Sequence, residues 1–201
     1  MRVEVFADVI CPWCYIGKRR LSAAVAGIAE PPEVVWRSFQ LDPEASTVPG
    51  ETADVLMAQW WADRAAQRVA QIKVIGAGDG LELNLHTARP VNTFDAHRVL
   101  HLAGEHGRQD QAWERLLRGF HTEGENIADP GTLVRLGADA GLPKDDVHDV
   151  VNGDAYARAV EADRQRAAEL GVNGVPSLVA GDGTPFSGVQ PVDDLRWLLS
   201  S

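Results

Sequence analysis

Cysteine is almost missing from this chain: Cys11 and Cys14 are the only two in 201 residues. That scarcity excludes a disulfide framework and a zinc site built from four cysteines. Long hydrophobic runs are lacking as well, and none reaches the roughly 18–20 apolar residues that span a bilayer. The opening Met-Arg-Val-Glu-Val-Phe alternates like a strand at once, without the basic stretch and apolar run of a secretory signal. A cytoplasmic location with no membrane partner is therefore expected. In that reducing compartment an isolated cysteine pair serves catalysis or metal binding rather than structure. Basic residues are in deficit, 19 Lys and Arg against 29 Asp and Glu, giving a formal charge of −10. With no basic stripe, nucleic acid is not an expected partner. Repeats and low-complexity tracts are also absent from the sequence.

An apolar content of 45% can fill a core, so neither stapling disulfides nor a structural metal is required. The length suits one domain, or one carrying a substantial insertion. Arg2–Ala7 reads as a buried strand. Pro12 fits the first turn of a helix that continues through Tyr15 to Ile28 and is broken by Pro31–Pro32. Val34–Leu41 is the second strand, which completes a β-α-β unit in about forty residues.

Residues 44–165 then read as nearly all helix. Thr52–Ile75 forms one helix, Gly76–Gly80 a loop, and Leu81–Leu85 a short alternation. Asn92 or Thr93 caps a helix running to about His106, and Gln109–His121 forms another. Asp129 and Pro130 make an N-cap and first turn. Pro143 opens one helix, and Asp154–Leu170 is the last of the series. Ser177–Ala180 and Thr184–Ser187 return as strands around a reversal at Gly181–Asp182–Gly183, and Pro191–Leu199 ends the chain as a helix. The expected class is α/β: β-α-β, a large all-helical insertion, then β-β-α. Its parts are 1–43, 44–165 and 166–201. Trp36, Trp60, Trp61, Trp113 and Trp197 are expected in the core or between the parts.

Chemistry concentrates at the first strand-to-helix junction. Two residues between Cys11 and Cys14 permit an intramolecular disulfide, and a helix N-terminus favours the thiolate of the first cysteine. Cys11 is thus the nucleophile, and Cys14, one turn further in, resolves the mixed disulfide. The bland alternatives are inert thiols or half a zinc site, which would need two further ligands, with histidines the remaining source. Between the thiols, Pro12 restricts the backbone and Trp13 supplies apolar surface without positive charge. Pro176 stands directly before the third strand, where a cis bond would make a sharp turn. It could then sit against the dithiol and leave the Val175 backbone open to an extended peptide or glutathione. Asp8 either tunes proton transfer near Cys14 or ends the strand. Gly76–Gly80 follows a helix, not the strand a dinucleotide fingerprint requires.

Six ordered segments carry a resemblance. They are Asp8-Val-Ile-Cys-Pro-Trp-Cys-Tyr-Ile-Gly17-Lys18, Trp36 with Phe39-Gln-Leu-Asp-Pro43, and Asn92-Thr-Phe-Asp-Ala-His97-Arg98. The others are Phe120-His-Thr-Glu-Gly-Glu-Asn-Ile127, Gly171-Val-Asn-Gly-Val-Pro176 and Ser187-Gly-Val-Gln-Pro191. Together they resemble the thioredoxin superfamily, and within it the DsbA-like family with a helical insertion, in its cytoplasmic FrnE-like branch. The resemblance implies a thioredoxin-like fold and thiol–disulfide exchange with a protein or small-molecule thiol. It implies no tightly bound cofactor and no metal, with glutathione open as a co-substrate and the protein a monomer or homodimer. It also places Asn92 and His97 near the dithiol cleft, although a capping Asn92 and a packed or surface His97 fit equally. His97 and His101 could meet on one helix face. The fold is shared with 2-hydroxychromene-2-carboxylate isomerases and kappa-class glutathione transferases, which generally carry serine at the position of Cys11 and lack the second cysteine. Glutathione-dependent isomerase or transferase chemistry is thus the enzymatic alternative. A peptide-binding chaperone is the non-enzymatic one.

Overall fold

The computed structural model describes residues 1–181 and 183–200; Asp182, at the centre of the expected reversal, lies outside them, as does Ser201. Four strands form one sheet in the order β2-β1-β3-β4. β1 (Arg2–Ala7) runs parallel to β2 (Glu33–Ser38), with Val5 opposite Trp36. On its other side β1 pairs antiparallel with β3 (Ser177–Ala180), Val5 meeting Leu178. β4 (Pro185–Ser187) closes that edge against β3.

The two-residue period of β1 decides what packs on each face. Val3, Val5 and Ala7 point into the main core with Ile16, Leu21 and Ala24 of α1 (Pro12–Val25). Phe6 points the other way, into a smaller cluster with Ala167, Val172 and Val179. Seven further helices follow β2: α2 (Ala53–Trp61), α3 (Ala65–Gly78), α4 (Phe94–Glu105), α5 (Gln109–His121), α6 (Pro130–Asp139), α7 (Lys144–Asn152) and α8 (Ala157–Glu169). The terminal helix α9 (Val192–Ser200) packs beside α1.

Several expectations need correction. The helix expected over Thr52–Ile75 is broken at Ala62, whose φ of 45° ends α2 and starts a 3-10 turn at Ala62–Arg64. The expected loop at Gly76–Gly80 is helical as far as Gly78. Gly76 is needed there because a Cβ would stand 2.6 Å from Leu83 Cδ1. Leu81, Leu83 and Leu85 form no strand, yet all three side chains are buried. Trp36 and Trp113 are core residues, whereas Trp60 and Trp197 are 66% and 74% exposed. The boundary expected after residue 165 falls inside α8, and Ala167 of that helix packs on the sheet through Phe6. One core runs through both parts, joining Val5 and Ile16 to Leu100, Trp113 and Leu133.

A buried ionic network fastens α8 and α4 to the sheet. Asp163 is 2% exposed; one oxygen pairs with Arg37 at 3.0 Å, and the other accepts from the Ser38 N–H at 2.8 Å and lies 3.0 Å from His101 Nε2. Burial alone would raise the Asp163 carboxyl. The hydrogen bonds from His101 and Ser38 and the Arg37 charge outweigh it and hold that carboxyl below its ordinary range.

Candidate active site

The site begins where β1 runs out. The Asp8 carbonyl accepts the Cys11 N–H at 3.2 Å, turning the chain so that Cys11 becomes the N-cap of α1 in an extended conformation. Pro12 occupies the first turn, where a missing N–H costs nothing. Cys14 then sits one turn in, its N–H bonded to the Cys11 carbonyl at 3.0 Å. Both cysteines are free thiols, 5% and 1% exposed respectively. Pro12 is buried, and Trp13 is half-buried against the core.

The second wall comes from the far end of the chain. The Cys11 thiol faces the Val175 carbonyl at 3.7 Å, and the Val175–Pro176 peptide is cis. Pro176 lies against α1 at Gly17, where a Cβ would come within 3.2 Å of the proline Cγ. The Gly188 N–H holds the Pro176 carbonyl at 2.7 Å. Between Cys14, Gly17, Lys18 and Pro176 lies a cavity of about 30 Å³, room for one water molecule. Cys11, Cys14, Val175 and Pro176 are therefore brought together.

The two thiols differ in setting. Burial, then the neighbouring Cys11 sulfur, pushes the Cys14 thiol well above its ordinary value, and the Asp8 charge adds to the rise. Asp8 is itself fully buried. Its Oδ2 accepts the Leu41 N–H at 2.7 Å, and its Oδ1 lies 3.2 Å from His97 Nε2. His97 is equally buried, edge-on to Trp113 at 5.8 Å, and its Nδ1 has no hydrogen-bond partner among the described residues. His97 thus reaches the site through Asp8, as a buried residue rather than a surface one.

Asn92 works differently. Its side chain accepts the Phe94 N–H at 2.9 Å and donates to the Pro43 carbonyl at 2.8 Å, capping α4 and fastening the segment after β2. His97 and His101 do not act together, since His97 bonds to Asp8 and His101 to Asp163. Nor do Ser38, His101 and Asp163 form a catalytic relay. One nitrogen, His101 Nε2, lies near both Ser38 Oγ and Asp163, whereas a relay uses opposite ring nitrogens.

His121 was not foreseen as a site residue. It is fully buried and stacked on Tyr15, facing the backbone of Val9 and Cys11, and burial lowers it to about 4. Neither ring nitrogen reaches hydrogen-bond geometry with a described residue. Its only sequence signal was its place in the Phe120–Ile127 segment. Glu114 of α5 was missed as well: it gathers Tyr15 Oη and Arg19 at 2.8 Å and Lys18 at 3.3 Å, tying α1 to the insertion. Among the described residues, no group of three or more His, Cys, Asp or Glu could hold a metal ion. No described helix is long and apolar enough to cross a membrane.

The DSBA-like thioredoxin domain matches residues 2–200 of this chain. The chain belongs to that family. A probable DsbA oxidoreductase from Streptomyces coelicolor is similar at 34% identity, covering all of this chain and 88% of its own, with a TM-score of 0.92. Two more distant structures share the fold. The 2-hydroxychromene-2-carboxylate isomerase has 15% identity and a TM-score of 0.71, over 100% of this chain and 93% of its own. The cytosolic disulfide reductase DsbM of Pseudomonas aeruginosa has 22% and 0.67, over 100% and 97%. This DsbA-like chain keeps a thiol at both ends of its Cys-Pro-Trp-Cys motif.

Proposed function

We propose that this protein is a thiol–disulfide oxidoreductase that exchanges electrons with protein or small-molecule thiols through the Cys11–Cys14 couple. The observation that carries the reading is the asymmetry of the pair. Cys11 caps the helix and faces the Val175 carbonyl, whereas Cys14 lies one turn further in, where burial and the neighbouring Cys11 sulfur push its thiol well above its ordinary value. The Cys11 sulfur, as thiolate, attacks a substrate disulfide and releases one substrate thiolate. Cys14 then gives up its proton and attacks the Cys11 sulfur. The intramolecular disulfide forms, and the second substrate thiolate departs with its electron pair. The substrate disulfide is thereby reduced by two electrons and the dithiol oxidised; run backwards, the same steps oxidise substrate thiols.

The Val175 backbone beside Cys11 offers an extended substrate main-chain hydrogen bonds. No tightly bound cofactor enters the scheme, and the cytoplasm, where free thiols persist, is its proposed setting. Glutathione as co-substrate is the second reading. It is favoured by the structure of DsbM with GSH, which has this fold. Insulin reduction and thiol oxidation by wild type, C11S and C14S test the proposal. Loss in both variants supports dithiol exchange. Loss in C11S alone points to monothiol, glutathione-linked chemistry, and peptide-binding activity that survives replacement of both cysteines points to a chaperone.

A further inference from the structure

A second concavity lies where the end of α1 and strand β2 meet the start of α5, at the junction of the sheet with the helical insertion. Its volume is about 390 Å³, a size that holds a small organic molecule. Leu21 and Trp36 line both this cleft and the small cavity beside Cys14. Cys11, Cys14, Val175 and Pro176 do not border it, so the cleft is separate from the dithiol site.

The lining combines apolar surface with hydrogen-bond acceptors. Val25, Val34 and Trp36 supply the apolar part, and the Trp36 ring is itself held against Trp113 at 5.1 Å. The acceptors are Ser22, Gln109 and Asp110. Gln109 commits its amide nitrogen to the Leu100 and Trp36 carbonyls at 3.4 and 3.5 Å, and its oxygen accepts from no described residue. Lys18 Nζ donates to Asp110 Oδ1 at 3.0 Å, whereas Asp110 Oδ2 has no donor among the described residues.

Among the described residues no Lys, Arg or His side chain lines this cleft. Arg37 points to the opposite face of β2, where Glu4 and Asp163 hold it, because side chains alternate along a strand. Lys18 is engaged by Glu114 at 3.3 Å as well as by Asp110. The formal charge of −10 favours cations over anions around the whole molecule. We propose that the cleft binds a small organic ammonium ion with an apolar body. Its charged head meets Asp110 and the Gln109 oxygen, and its hydrocarbon or ring packs on Val25, Val34 and Trp36. The ligand then bridges α1 and β2 to α5 and leaves Cys11 and Val175 uncovered.

Phenethylammonium is the probe. The controls are 2-phenylethanol, of similar shape but uncharged, and phenylacetate, of opposite charge. Each is titrated into nitrogen-15-labelled protein, and NMR follows the amide signals of Val25 and Val34 and the indole N–H of Trp36. Two variants separate the two parts of the site. Asp110→Asn removes the charge, and Ser22→Phe fills the space from an exposed position on α1.

Saturable shifts at these three positions are expected with phenethylammonium, weaker binding with 2-phenylethanol, and none with phenylacetate. Asp110→Asn should weaken ammonium binding about fivefold, the effect of one partly exposed charge pair, and bring it level with 2-phenylethanol. Ser22→Phe should abolish it; if that protein does not fold, Ala26→Leu, also exposed, fills the cleft instead. Shifts that do not saturate overturn the proposal, as do shifts that persist in the filled variant. So does phenylacetate binding as tightly as phenethylammonium, or an Asp110→Asn protein of unchanged affinity. Insulin reduction by the same wild-type sample keeps this site apart from the dithiol reading. A protein that binds the ammonium but reduces no insulin contradicts only that reading, and one that reduces insulin without binding overturns only the cleft.

Discussion

The Cys11 thiol and the Val175 carbonyl stand 3.7 Å apart, although 164 positions separate them in the chain. The contact joins the first strand-to-helix junction to the turn entering β3. Both flank β1, because β3 pairs antiparallel with β1 and begins where β1 ends, with Ser177 opposite Phe6. The sheet order therefore fixes the site, and the long helical insertion leaves that pairing undisturbed.

The unequal thiols should show in their reactivity. Alkylation of the reduced protein at about pH 7 is expected to modify Cys11 before Cys14, because only the thiolate reacts and the Cys14 thiol is pushed well above its ordinary value. Peptide mapping by mass spectrometry after short exposure checks the order. Equal labelling of the two would contradict the assigned roles.

Gly17 makes room for Pro176. A Cβ already stands within 3.2 Å of the proline Cγ, and the branched chain of Gly17→Val would press further into it. The variant should lose about 1–3 kcal/mol of stability, the usual cost of overpacking, and should slow disulfide exchange by shifting the Val175 carbonyl. Urea melts and insulin reduction measure the two effects. A fully stable, fully active Gly17→Val protein would show that this contact does not shape the site.

Short-range chemistry made much of the fold legible. Proline in the first turn of α1, alternation in β1 and the Asp129–Pro130 cap all act within a few residues, and their elements stand close to where the pattern put them. The break at Ala62, where φ is 45°, carried no signal, since alanine is a helix former. Gly76 and Gly78 looked like a loop because glycine disfavours helix, but at Gly76 the side chain of Leu83 fills the space a Cβ would need. Within the site, the CxxC spacing is local and could be read. The Asp8–His97 contact spans 89 positions, and only the packing of α4 against the end of β1 creates it.

Acid should destabilise the protein through His121. Burial lowers this histidine to about 4 in the folded chain, against 6.5 when exposed. Between those values the unfolded chain binds more protons, so the contribution is complete above about pH 6.5 and is lost as pH falls toward 4. At about 1.4 kcal/mol per pH unit, the loss totals about 3 kcal/mol. Urea denaturation at several pH values should show this slope in the wild type and a shallower one in His121→Phe. Parallel slopes would refute the assignment.

Asp163 should matter for stability beyond its own contacts. Asp163→Ala strips the Ser38 N–H of its acceptor and leaves Arg37 and His101 without their shared partner. Because Arg37 is partly exposed and keeps Glu4 at 2.7 Å, the expected cost is about 2–3 kcal/mol, below that of breaking a fully buried pair. A urea midpoint unchanged from wild type would show that the network contributes nothing.

The central claim is tested most directly by equilibrating the reduced protein with glutathione buffers of graded potential, followed by acid quench and mass analysis of wild type and C14S. The account predicts that wild type converts in one transition to an internal Cys11–Cys14 disulfide, while C14S retains glutathione on Cys11. A wild type that keeps both thiols free under oxidising buffer, or a glutathione adduct on Cys14 in place of Cys11, would contradict it.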